Sequence, residues 1–169
     1  AAQYPEGLIM FIYSYKLGGQ VEIINGLNHY IGMKTLHSAD FIEFTILPYL
    51  IGFFALAFAF TAWRAQRKYL YLLCAAFLLF GVIAMVDFYL WEHAYGHNLN
   101  PNAPIKVPGM AYTPPLIGYK ELLNFGAYSI PDLGGWLFIA CGLTIVYCST
   151  QEWRHTYNSS KDPNITENA

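Results

Sequence analysis

Three long runs of apolar positions, set between polar stretches, dominate the pattern along this chain. Residues 41–63 read FIEFTILPYLIGFFALAFAFTAW, residues 69–91 read YLYLLCAAFLLFGVIAMVDFYLW, and residues 131–150 read PDLGGWLFIACGLTIVYCST. Each has about the 20 residues that a helix needs to cross a hydrocarbon core of about 30 Å. A lone strand in lipid would leave its backbone polar groups unpaired, so helix is the expected form. Pro48 predicts a kink in the first run. The alternating segments of about 10 residues that mark a membrane barrel are not seen.

The polar stretches complete the picture. Residues 8–15, LIMFIYSY, are apolar but too short to span, and read as an exposed strand or a membrane-surface segment. Gly18-Gly19 reads as a hairpin tip and residues 21–24, VEII, as the returning strand. Residues 116–125 show partial helical periodicity and predict a helix lying in the membrane interface. Tyr112, Tyr119, Phe125 and Tyr128 beside it suit an aromatic belt. The expected architecture is an all-α membrane protein with three transmembrane helices and two extracytoplasmic segments, the first containing a short β-hairpin.

Composition agrees. Hydrophobic residues make up 56% of the chain and charged residues 12%, against about 25% charge in a soluble domain, so a water-facing globule is excluded. The net charge of −2, with no basic patch outside one short loop, gives no purchase to nucleic acid. That loop, residues 64–68, carries Arg64, Arg67 and Lys68, and positive-inside logic places it in the cytoplasm. Residues 1–40 and 92–130 then lie outside, and the tail 151–169 lies inside, where its two glycosylation sequons would stay unmodified. The chain starts at Ala1 with no spanning run before residue 41, so a fourth helix upstream of residue 1, or a removed signal peptide, is expected. The location expected is a bacterial inner membrane, crossed several times. Cys74, Cys141 and Cys148 sit in apolar runs without metal or redox spacing, and read as small hydrophobes. Gly134, Gly135 and Gly142 permit close helix contact, within the protein or with a partner.

The candidate chemistry lies outside the membrane. His29 and Met33 are four residues apart, so they share a face if that piece is helical, and His37 extends the face. Taken alone, this pair is better explained by a loop histidine and a packed methionine. A second segment changes the weighting. His93 and His97 repeat the four-residue spacing just past the rim at Trp91, and Met110 ends a proline-rich loop that could fold over them. Imidazole and thioether together suit copper, Cu(I) in particular. Asp87, one turn inside the rim, either orients a histidine from behind or pairs with a lysine, and Glu43 reads as structural.

The strings QYPEGL, GGQVEIINGLNHYIGMK, YGHNLNPNAPIKVPGMAY and PPLIGYKELLNFGAYSIPDLGGW resemble a family of small bacterial polytopic membrane proteins. That family is associated with gene clusters for maturation of the copper nitrous-oxide reductase. The likeness covers roughly residues 3–153, and implies copper handling by neighbourhood rather than a mechanism. Two functions compete. The first is an accessory membrane protein that binds or delivers copper outside the membrane for a copper enzyme, with His29, Met33, His93, His97 and Met110 as ligands. The second is a metal-free scaffolding subunit of a larger membrane complex, such as a copper monooxygenase or respiratory assembly. No nucleophile–base pair, phosphate loop or haem motif points to an enzyme.

Overall fold

A computed structural model describes residues 4–106, 109, 111, 113–122 and 125–161. Its order is β1 (Met10–Ile12), β2 (Leu17–Gly19), α1 (Val21–Ile31), a 3-10 turn at Ser38–Asp40, α2 (Glu43–Arg64), α3 (Arg67–His97), β3 (Gly118–Leu122), β4 (Phe125–Ser129) and α4 (Leu133–Ser159). The fold is mostly helical with two small antiparallel strand pairs. Helices α2, α3 and α4 are each long and apolar enough to cross a membrane. Their apolar side chains mostly face outward, as Leu56, Trp63, Leu72, Val82 and Leu143 do. A helix of a soluble domain buries its apolar stripe; here lipid or another protein must cover it.

Contacts divide the chain into two units. The first comprises Ala1–Phe53 with Ala84–Ile130. Its core is Met33, Leu36 and Tyr95, with Met10, Leu17, Val21, Phe41 and Trp91 packed against it. Trp91 stacks on Tyr95 with centroids 4.9 Å apart, and Phe41 meets Trp91 at 4.8 Å. The expected first hairpin exists, but its strands are Met10–Ile12 and Leu17–Gly19, and the chain reverses over Tyr13–Lys16. The Lys16 ammonium there lies 5.7 and 5.4 Å from the centroids of Tyr13 and Tyr15.

Residues 21–24 are not the returning strand; they open α1. The β-branched run Val21, Ile23, Ile24 favours strand locally, but Val21, Ile24, Asn25, Asn28 and Ile31 form a helical stripe that tertiary packing buries or half-buries. Asn25 and Asn28 are the polar members of that stripe. The Asn25 amide donates to the Leu36 carbonyl at 3.0 Å, and its oxygen accepts from the Leu36 N–H at 2.7 Å. The Asn28 amide donates to the Tyr95 hydroxyl. These bonds replace the water that buried amides would otherwise lose. The helix ends at Gly32, whose φ of 81° is left-handed. A Cβ at residue 32 would stand 2.9 Å from both the Ala103 Cβ and the Asn100 carbonyl oxygen. Glycine is therefore required there twice over.

The interfacial helix expected over residues 116–125 is instead a hairpin, β3 with β4. Partial helical periodicity implied a helix, but Tyr119 and Tyr128 fall opposite one another and pack with centroids 4.7 Å apart, a cross-strand pair of the kind that stabilises sheets.

The second unit comprises Phe54–Ile83 with Pro131–Ala169. Its core is Phe54, Leu73, Phe77 and Ile145. Phe77 is the hub, edge-on to Phe54 at 5.2 Å and to Phe58 at 5.4 Å, and stacked on Phe138 at 4.4 Å. A Cβ on Gly142 would lie 3.5 Å from the Phe77 ring, so this glycine serves a contact inside the unit. Gly134, by contrast, has open space around it. Ala65 and Gln66 make the whole connection between α2 and α3, and Ala65 takes a left-handed φ of 46° to do so. Arg67 pairs with Glu152 of α4.

Candidate functional site

The apolar run of α3 ends at Trp91, yet the helix continues through Glu92-His93-Ala94-Tyr95-Gly96-His97. These last turns are more polar than the run before them. They form one wall of a cavity of about 460 Å³, lined by Tyr89, Glu92, His93 and His97 on the helix and by Thr113, Pro114, Pro115, Leu116, Ile117 and Lys120 opposite. Gly96 lets the two walls meet. A Cβ on residue 96 would stand 2.5 Å from the Thr113 nitrogen and 2.6 Å from its Cα, so only glycine allows this approach.

His93 and His97 are presented together. Their rings stack with centroids 3.9 Å apart and an interplanar angle of 13°. His97 Nδ1 lies 2.9 Å from the His93 carbonyl oxygen and 3.2 Å from Thr113 Oγ1. A carbonyl only accepts, so in this contact Nδ1 carries the proton. Neutral His97 then keeps its lone pair on Nε2, the nitrogen free to bind an ion. Lys120 Nζ donates to the Thr113 carbonyl at 2.9 Å, which tethers β3 to the same segment.

Glu92 was not among the ligands expected from the sequence. It is 4% exposed, and its Oε2 has no hydrogen-bond partner among the described residues. Burial pushes its carboxyl up from 4.5 to about 7, against the opposing pull of the Lys120 cation. A carboxyl so placed in a cavity beside two imidazoles is the kind of perturbed group that marks functional sites. The sequence carried one usable signal: Glu92 falls among aromatic residues at a helix position directly before the histidine pair.

The other expected ligands fall elsewhere. α1 ends before Met33, so His29 and Met33 do not share a helical face. Met33 is buried in the core with Leu36 and Tyr95, and His29 is exposed on α1 beside Tyr30. Neither lines the cavity. His37 lies 3.4 Å from Asp40, with both side chains more than half exposed. Asp87 is exposed and is not part of the cavity wall. Met110 lies outside the described residues. Among the described residues, no three His, Cys, Asp or Glu side chains converge as a metal cage. The cavity holds a histidine pair and a neighbouring carboxyl along its wall.

No protein-family model, curated protein or solved structure matches this chain. The site's chemistry therefore rests on its own geometry.

Proposed function

We propose that this chain is an accessory protein of a bacterial inner membrane that binds copper on the extracytoplasmic side, for delivery to a copper enzyme. The observation that carries the reading is the stacked pair His93 and His97, in a cavity whose buried Glu92 has an unpartnered carboxylate oxygen. A bound cation would give that oxygen its missing partner. Two imidazoles with a carboxyl are harder donors than the thioether set expected from Met33, which lies in the core. This donor set favours the divalent ion, and Cu(II) heads the affinity order for such ligands. His93 and His97 bind, Glu92 supplies negative charge, and Thr113 with the His93 carbonyl orients the His97 ring. The loop charges Arg64, Arg67 and Lys68 support the sidedness.

The test is metal analysis of the purified full chain after Cu(II) loading and desalting. The wild type should retain one copper, with affinity falling at acid pH, where protons compete with the ion for its donors. The double variant His93→Ala/His97→Ala should retain none. Full copper occupancy in that variant would overturn the site and leave the metal-free scaffolding role as the reading.

A further inference from the structure

α1 turns polar amides inward and part of its apolar surface outward. Asn25 and Asn28 are buried, while Ile23, Leu27 and Tyr30 are 39, 40 and 55% exposed. Steps of four and three residues set these three on one stripe of the helix. Glu22 and His29, also exposed, form a separate polar stripe. A helix whose outer arc met only water would be polar across it.

The hairpin before α1 repeats the pattern. Phe11, Tyr13 and Tyr15 are exposed, and their rings form a row with neighbouring centroids 6.0 and 6.1 Å apart. The Lys16 ammonium stands by the Tyr13 and Tyr15 rings.

Depth decides what covers these side chains. Leu17 of the hairpin and Ile31 of α1 pack against the same core cluster as Phe41 and Trp91. Phe41 comes just before α2, and Trp91 ends the apolar run of α3. With α2 and α3 as membrane spans, these two aromatic residues mark the level of the headgroups. One shared core therefore holds the hairpin and α1 at that level, where an outward apolar stripe meets lipid. The chemistry agrees. Tyrosines beside a lysine suit the boundary between bilayer and water, with the lysine stem on apolar surface and its charge in water, whereas lysine is depleted where proteins meet.

We infer that α1 and the first hairpin form a membrane-surface element. Ile23, Leu27, Tyr30 and the ring row of the hairpin are set into the headgroup layer, and Glu22 and His29 are turned to water. Helices of this kind lie with the apolar face roughly 5–10 Å deep. The inference rests on α2 and α3 being membrane spans and is independent of copper.

The experiment uses Glu22→Cys, Ile23→Cys, Leu27→Cys, His29→Cys and Tyr30→Cys, each in a full chain whose own cysteines are replaced by alanine. Each is labelled with a nitroxide in phosphatidylcholine vesicles. All five positions are exposed, so the label disturbs no core. Power saturation compares collisions with oxygen, which concentrates in lipid, and with a water-soluble nickel chelate. Oxygen should exceed nickel severalfold at residues 23, 27 and 30, and nickel should exceed oxygen at residues 22 and 29. Nickel exceeding oxygen at all five would overturn the inference, because the stripe would then face water. Exclusion of both reagents from the stripe, the mark of a protein partner, would overturn it as well. So would spin–spin broadening that vanishes on dilution with unlabelled chain, the mark of a second copy. Leu56→Cys, an exposed position within α2, reports on the spans themselves. Nickel exceeding oxygen there would instead refute the membrane reading beneath the inference.

Discussion

Replacing Glu92 by glutamine isolates the one buried carboxyl of the cavity. Free in an unfolded chain the group titrates at 4.5, and in place at about 7. A raised acid pKa means that the folded protein holds the proton more tightly than the unfolded one. The stabilisation is therefore fully present below pH 4.5 and is lost as pH rises through about 7. Between pH 5 and pH 8 the loss comes to roughly 2–3 kcal/mol, since a pKa difference of one unit is worth about 1.4 kcal/mol. For a chain of this size that corresponds to roughly 5–10 °C in melting temperature. The assay is thermal unfolding of the purified protein in detergent at both pH values, without copper. The wild type should melt lower at pH 8. Glu92→Gln, which keeps the shape but cannot ionise, should lose that difference and melt above the wild type at pH 8. Other titrating groups are common to both proteins, so the comparison cancels them. Equal pH slopes in the two proteins, or a Glu92→Gln variant less stable than wild type at pH 8, would refute a carboxyl held protonated by burial.

Four further outcomes follow from particular contacts. Gly96→Ala drives a Cβ into the Thr113 backbone, and should cost roughly 1–3 kcal/mol by overpacking; an unchanged melting curve would mean that the two cavity walls do not meet as described. Asn25→Ala strands the Leu36 N–H and carbonyl, and should cost at least about 2 kcal/mol in the same assay, whereas a loss too small to measure would show that water reaches them. Ala65→Gly relieves a left-handed alanine, and should raise stability by roughly 0.5–1 kcal/mol; a lower melting temperature would sink that account. Single cysteines at Asn102 and Gln66, in a chain whose own cysteines are replaced, should react with an impermeant thiol reagent from opposite sides, and labelling from one side would refute the sidedness.

The long helices were legible because length and apolarity are the property that lipid selects. Their ends were not. Hydropathy stops at Trp91, while the backbone stays helical through His97, since Glu92, Ala94 and Tyr95 still accept helix and Tyr95 packs into the core. The same holds for α4, which runs on to Ser159. The start of α1 was misread because β-branched residues dominate it, and residues 116–125 because partial helical periodicity there imitates a helix. At the candidate site, the four-residue spacing of His93 and His97 was enough to place them together. Met33 could not be placed that way, since the left-handed turn at Gly32 redirects the chain. Glu92 shares its cavity with side chains that follow more than twenty residues later, and no local pattern reports that.

Asn25 is followed by Gly26, the pairing most prone to spontaneous deamidation, in which the next backbone nitrogen attacks the side-chain amide. In the folded protein that amide is buried in α1 and held at both its nitrogen and its oxygen by Leu36. Folding thus protects the residue from ageing. In an unfolded chain the shield is gone, and the product, aspartate, has no N–H left to give to the Leu36 carbonyl. Time spent unfolded therefore accumulates as chemical damage at the contact needed for return, and the same clamp that fixes the segment after α1 limits how often an old molecule can refold.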